Sequence, residues 1–264
     1  MKIKFLGTSH GITEKERYTS SILITVGEKH YLIDAGAPIM KLLKESNVDF
    51  KKIGGIFITH SHSDHYLGLV EFMCQLELFN EFSGVSVTVY APEKFPFYPM
   101  REFLFGKDSR EVTDFSVKRG GSRREDGGEG NRLKCEFYPD GAFFDDGNVK
   151  VTSIPTKHFY DSHAFLLEAE GKRVLFTGDI RHDLIDFPAL AFDTHLDLTV
   201  TEAAHPILND KKTVELFGKI QTERMLITHI CDFRNTPDMI AELTAALSHR
   251  FPVSAVTDGT EVEV

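Results

Sequence analysis

Apolar and polar positions alternate with two periods along this chain. Short runs rich in β-branched and aromatic residues, "SSILITV", "KHYLIDAG", "GGIFITH" and "VSVTVYAP", read as strands, and stretches of helical spacing fall between them. The first helical patterns are Ala37–Glu45 and His65–Phe79; in the second, Leu69, Phe72, Met73, Leu76 and Phe79 recur on one face, the pattern of core packing. A further strand series covers "VKVTSIP", "AFLLEAEGKRVLFTGD", "LDLTVTE" and "ERMLITH", with a hairpin turn predicted at "EAEGK", where Gly171 can adopt a positive φ. Helices are predicted again at Asp210–Lys219 and Asp238–Leu247. Strands and helices interleave throughout, so residues 1–264 are read as a single α/β domain.

Two segments break the pattern. Val117–Lys134, "VKRGGSRREDGGEGNRLK", carries six Lys or Arg, three acids and five Gly with almost nothing to bury, and reads as a flexible loop. Its alternative reading is a basic arm that guides an anionic substrate. The preceding "PEKFPFYPMREFLF" is dense in aromatic residues. It can cap a pocket, pack on the core or, around Phe95–Phe105, form a homodimer contact, and periodicity does not choose among these.

Composition narrows the class. With 41% hydrophobic residues the chain can build a core, while a formal net charge of −10 disfavours a general polyanion-binding surface. The N-terminal "MKIKFLGTSHG" lacks the long apolar core of a secretory signal, and no run approaches the roughly 18 apolar residues of a membrane span. Cys74, Cys135 and Cys231 lie far apart with no CxxC pair, which argues against a disulfide framework and a thiolate zinc site. A cytoplasmic protein with no membrane partner is the expectation.

The candidate chemistry is concentrated in "ITHSHSDHYLGL", where His60, His62, Asp64 and His65 fall within six residues directly after an apolar strand. At this chain's own His and Asp frequencies, such a His-x-His-x-Asp-His match arises by chance with a probability on the order of 10⁻³. Three further ligand-type residues also follow strands: His158 after "VTSIPTK", Asp179 after "VLFTG" and His229 after "MLIT". Strand ends at one sheet edge are where α/β proteins place their chemistry, and Gly178 before Asp179 would admit a close backbone approach. Five imidazoles and two carboxylates without thiolate suit zinc, and also manganese or iron. Seven ligands exceed one tetrahedral ion but match two ions sharing a carboxylate, with positions left for water and substrate. His163 reads as a hydrogen-bonding strand residue, His10 as a stabiliser of the first loop and Cys231 as packing. His30, His182, His195 and His249 receive no functional reading.

These residues resemble the metallo-β-lactamase superfamily. His60, His62, Asp64 and His65 match its His-x-His-x-Asp-His motif, and "TKH", "TGD" and "ITH" match its downstream His, Asp and His; "KIKFLGTSHG", "YLIDAG" and the terminal "DGTEVEV" extend the likeness over nearly the whole chain. The resemblance implies a four-layer αββα sandwich. It further implies that His60, His62 and His158 hold one divalent ion, that Asp64, His65 and His229 hold a second, and that Asp179 bridges them. The chemistry implied is hydrolysis by a hydroxide bridging the two ions, with Asp64 in the catalytic centre.

Thr199–His205, "TVTEAAH", stands where ribonuclease Z-like phosphodiesterases carry a "HEAT"-type element. Glu202 matches its acid, Thr201 replaces its histidine, and His205 follows three residues after the acid. His205 is therefore expected either to protonate the leaving group or orient substrate, or to act behind the ligands. His158 and Asp179 are too close in sequence for the long arm that ribonuclease Z enzymes carry between the corresponding residues. Together with the acidic balance, this favours a small phosphodiester, cyclic or linear and nucleotide-like, over tRNA. A lactonase or other carboxylic-ester hydrolase is the alternative, and a nucleic-acid-associated domain with structural metals is the second.

Overall fold

The computed structural model describes residues 1–12, 14–106 and 132–264. The strands form two seven-stranded sheets. In the first, β1 (Lys2–Gly7), β2 (Ser21–Val26), β3 (Lys29–Ile33), β4 (Ile53–Phe57), β5 (Val87–Ala91) and β6 (Leu133–Phe137) lie in chain order, and β14 (Glu261–Glu263) pairs on the outer side of β1. In the second, the order is β13 (Val253–Ala255), β12 (Met225–Thr228), β11 (Leu198–Glu202), β10 (Lys172–Phe176), β9 (His163–Ala169), β8 (Lys150–Pro155) and β7 (Gly141–Asp145).

Side-chain alternation with period two explains the layering. Ile22, Ile24, Tyr31, Ile33 and Phe57 face Phe165, Leu167, Val174, Phe176, Leu198, Val200 and Leu226 in a core between the sheets. Their neighbours Leu23, Leu32, Ile56 and Ile58 point the other way, onto α1 (Ile39–Glu45) and α3 (Gly68–Leu78). On the far side Leu175, Met225 and Ile227 meet Phe217 of α5 (Lys211–Phe217) and Leu243 and Leu247 of α6 (Pro237–Leu247). Both faces of the central strands are apolar because both are covered, and the result is the expected αββα sandwich.

The predicted helix over His65–Phe79 is two helices. Ala35 N–H donates to the carbonyl of His65 at 2.7 Å, and Gly68 N–H donates to the Ala35 carbonyl at 2.9 Å. The loop after β3 thus takes a carbonyl that a continuous helix would use, separating α2 (Ser63–Tyr66) from α3. A Cβ on Gly68 would sit 2.6 Å from the Gly36 carbonyl, so only glycine permits that contact.

The aromatic segment forms α4 (Phe97–Phe105). Phe95 and Phe97 are buried against the helical layer, whereas Tyr98 and Phe103 are exposed. Of the basic loop predicted at Val117–Lys134, residues 117–131 lie outside the described residues. Its last three correct the prediction: Leu133 and Lys134 belong to β6, and the buried Arg132 donates to the Leu76 and Phe79 carbonyls at 2.9 and 3.0 Å, satisfying the C-terminus of α3. Among the described residues no helix is long and apolar enough to cross a membrane.

Candidate metal centre

The turn and helix after β4 carry His60, His62, Asp64 and His65. The segments after β8, β10, β11 and β12 carry His158, Asp179, His205 and His229. Because β10, β11 and β12 are parallel, their C-terminal ends deliver Asp179, Glu202 and His229 to one edge of the second sheet. All seven sequence-predicted ligands converge there, against the end of β4.

One group of donor atoms comes from His60, His62, His158 and Asp179, and a second from Asp64, His65 and His229. In the first, His62 Nδ1 lies 2.9 Å from His60 Nε2 and 3.1 Å from His158 Nε2. Asp179 Oδ2 is 3.8 Å from His60 Nε2 and 3.6 Å from His158 Nε2. In the second, His65 Nε2 is 3.3 Å from Asp64 Oδ2, and His229 Nε2 is 3.8 Å from the same oxygen. Asp179 faces this group too, with Oδ1 3.5 Å from His65 Nε2 and Oδ2 3.2 Å from His229 Nε2.

These spacings fit divalent ions. Nitrogen donors about 2.0–2.1 Å from a tetrahedral zinc lie roughly 3.3 Å from one another. The hydrogen bonding agrees: His65 Nδ1–H donates to Asp34 Oδ2 at 2.6 Å, and the buried Nε2, with no hydrogen-bond partner, is the nitrogen turned toward the donor group. Burial of three imidazoles without a compensating cation would be costly.

Electrostatics divide the groups in the same way. Burial holds His60 well below the usual imidazole range, lowers His62, and brings His158 down to about 4, so all three imidazoles are unprotonated at neutral pH. Burial would raise Asp64 and Asp179, but the neighbouring imidazoles, His65 for Asp64 and chiefly His229 and His65 for Asp179, outweigh it and both carboxyls stay ionised. Burial would likewise lower His65 and His229; their carboxylate neighbours reverse that shift. The second group therefore attracts positive charge, which a bound dication satisfies.

The backbone is strained where the donors are held. His229 has φ 54° and Asp34 φ 60°, both in the left-handed region that non-glycine residues seldom occupy. Gly178 has φ 56°, and a Cβ there would lie 2.8 Å from the His163 carbonyl.

Beside the donors, Glu202 is buried at the end of β11. It accepts from Ile180 N–H and His205 N–H, both at 2.9 Å, and from the His205 ring at Nδ1, 2.7 Å away. The His205 ring centroid stands 4.3 Å from that of His158, and its Nδ1 is 3.9 Å from Asp179 Oδ2. Burial lowers the His205 pKa, but the bond to Glu202 and its charge raise it more, so the net shift is upward. Thr201, in the place of the resembled histidine, is buried with its hydroxyl 3.5 Å from that of Thr177.

Sequence reasoning missed Asp34 and Thr59. Thr59 donates to Asp34 through N–H at 2.8 Å and through its hydroxyl at 3.0 Å, aiming the carboxylate at His65. An aspartate ending an apolar strand in "YLIDAG" was the available signal. Ser61 and Asp161 were missed as well; Ser61 donates to the Asp161 carboxylate and ties the His60–His62 turn to the loop after β8. His10 accepts from Ile12 N–H at 3.3 Å within the first loop, His163 on β9 bonds Asp140 at 3.0 Å, and Cys231 is buried, with its sulfur near donor atoms of His10 and Glu14.

Architecture and donor arrangement together give the chain the metallo-β-lactamase fold. It is similar to YhfI from Bacillus subtilis, itself a metallo-β-lactamase fold protein, with a TM-score of 0.71 at 17% identity over 99% of this chain and 98% of that one. A diphosphatase from the PhnP family has a TM-score of 0.65 at 18% identity, covering 100% and 97% of the two chains. Zn(2+)-bound PqqB from Methylobacterium extorquens has a TM-score of 0.67 at 14% identity, covering 100% of both.

In sequence, the model of the family described as Anti-Pycsar protein Apyc1 matches residues 1–96. Ribonuclease Z of Picosynechococcus sp. is 29% identical over 160 residues, covering 60% of this chain and 44% of that protein. Ribonuclease BN of Proteus mirabilis is 23% identical over 293 aligned positions, covering 92% and 94%. The alignments to other ribonucleases Z and BN take in about half of those proteins, 53% and 51% in two cases.

Proposed function

We propose that this protein is a dinuclear metal-dependent phosphodiesterase acting on a small, cyclic or linear, nucleotide-like phosphodiester. In this reading His60, His62 and His158 hold one ion, Asp64, His65 and His229 hold the other, and Asp179 bridges them. Zinc is the favoured metal, on the donor chemistry and on the zinc-bound neighbour of the same fold. What the ions supply when bound is a nucleophile at neutral pH and stabilisation of charge on the phosphoryl oxygens.

The observation that carries the phosphoester reading is the Glu202–His205 pair beside the bridging carboxylate. Glu202 fixes a proton on His205 Nδ1 and favours a second on Nε2, the nitrogen available to a departing alkoxide. An alcohol leaving a phosphodiester is a poor leaving group and needs that proton. Asp34 fixes the His65 tautomer, and the buried Asp179 keeps both groups of imidazoles oriented toward a shared carboxylate. Only the β9–β10 hairpin and short connections separate His158 from Asp179, so the substrate reaches the centre without a long arm there. Names among the relatives, ribonuclease Z, ribonuclease BN and a diphosphatase, support phosphoester chemistry over lactone hydrolysis. The free cysteines among the described residues support a reducing, cytoplasmic setting.

The test is hydrolysis of bis(p-nitrophenyl) phosphate by metal-stripped protein reloaded with zinc or manganese, beside His62→Ala. Metal-dependent release of p-nitrophenolate that the substitution abolishes is the expected result. Turnover of lactones but of no phosphodiester would overturn the reading.

A further inference from the structure

The loop after β8 carries two aromatic residues outward from the metal centre. The Phe159 ring lies 4.3 Å from the His62 imidazole, centroid to centroid, and the Tyr160 ring lies 4.2 Å beyond Phe159. Tyr160 is 61% exposed, although a phenol ring loses contact energy when left in water. Several hydrogen bonds hold the loop that carries these rings. Thr156 N–H donates to the Ser162 carbonyl at 2.8 Å, Phe159 N–H donates to Ser162 Oγ at 3.0 Å, and Asp161, 6% exposed, is bonded by Ser61 next to His62. Tyr160 thus presents an exposed aromatic surface one ring out from His62. The Lys94 ammonium, on a flexible stem, lies over the ring face 5.2 Å from its centroid, a cation–π contact that a stacking base would displace.

A second aromatic, Phe233, is 68% exposed. Among the described residues its ring contact toward the donors runs through His10, with centroid distances of 6.3 Å from Phe233 to His10 and 6.3 Å from His10 to His229. The continuous ledge is the one formed by Phe159 and Tyr160.

Resting on the phosphodiesterase reading, we propose that Tyr160 is the nucleobase subsite of this protein: the base of a nucleotide substrate stacks on its ring while the phosphate lies at the His62–His158 side of the centre. Stacking on a tyrosine selects for an aromatic base without choosing among bases, since each has a π-face. The subsite therefore determines that the substrate is a nucleotide and leaves its base identity open to other contacts.

Binding tests this independently of turnover. Calorimetric Kd values for adenosine 5′-monophosphate and for methyl phosphate are measured on the zinc-loaded protein, on Tyr160→Ala and on Tyr160→Phe. The expected result is that the nucleotide binds the wild type at least about fivefold more tightly than methyl phosphate, that Tyr160→Ala removes this preference, and that Tyr160→Phe keeps it. Equal binding of the two ligands by the wild type, or a preference that survives Tyr160→Ala, would overturn the subsite. Nucleotide preference lost in Tyr160→Ala without hydrolysis of any diester by the wild type would sink the phosphodiesterase reading and leave the subsite standing.

Discussion

Asp34 Oδ2 accepts a 2.6 Å hydrogen bond from His65 Nδ1, and this single contact settles which nitrogen of the imidazole faces the metal centre. Asp34 is itself aimed by two bonds from Thr59 and sits at φ 60°, so a backbone conformation that costs energy is kept where it orients the His65 imidazole. Replacing Asp34 by Ala frees the ring and the tautomer. The expected outcome is a 10- to 100-fold loss of zinc affinity, read by competition with a chromophoric chelator; unchanged affinity would remove Asp34 from the metal-orienting set.

His205 and Glu202 separate chemistry from binding. His205→Ala is expected to lower kcat roughly 10²- to 10⁴-fold for a diester with an alkyl alcohol leaving group. The loss is expected to be much smaller for bis(p-nitrophenyl) phosphate, whose phenolate departs without a proton. Equal losses on both substrates would show that the imidazole orients rather than protonates.

Metal and fold are linked. Ions that bind only the folded chain stabilise it by mass action, by about 2.7 kcal/mol at a free concentration 100 times the Kd. Chelation should therefore lower the Tm of the wild type. The Tm of His62→Ala, which lacks the imidazole nitrogen shared by 2.9 and 3.1 Å contacts in the first group, should respond less.

Gly178 carries the chain close past His163 and Thr59 into Asp179. With φ 56° and a Cβ position 2.8 Å from the His163 carbonyl, Gly178→Ala is both strained and crowded. A cost of about 1–3 kcal/mol is expected from denaturant unfolding, with weakened zinc binding because the Asp179 carboxylate, proposed to bridge the two ions, is displaced. Wild-type stability in this variant would mean that the turn relaxes freely.

Away from the centre, Asp146 accepts from Lys29 Nζ and from the phenol of the buried Tyr31, both at 2.7 Å. Burial pushes its carboxyl up, but these bonds and two backbone N–H donors prevail and hold it below the ordinary carboxylate range. A depressed folded pKa contributes stability that is present above the unfolded value of 3.8 and is lost as pH falls through the lower folded value. Asp146→Ala should cost about 1–3 kcal/mol at pH 7. The gap between variant and wild type should close only below about pH 4; a gap that closes near neutrality would implicate another group.

Period-two and helical patterns made the interleaved strands and helices legible, because burial of both sheet faces leaves apolar runs that no loop would carry. The donor cluster around His60 was legible for a different reason: ligands close in space there are also close in sequence. Other features were not local. The break between α2 and α3 depends on Ala35 taking the His65 carbonyl, β6 begins inside a segment whose composition reads as loop, and Arg132 finds its carbonyl partners on α3.

The sequence by itself therefore determined the interleaved α/β pattern and the chemical identity of the donors, since both follow from residue type and spacing; the sandwich was implied by the family resemblance. Only the tertiary structure decided that Asp179 faces both donor groups, that Asp34 stands behind His65, that Glu202 grips His205, and that Tyr160 lies one ring beyond the ring that touches His62. Those relationships join strands and loops far apart in the chain, and their distances are set by how two twisted sheets pack, which no single stretch of sequence encodes.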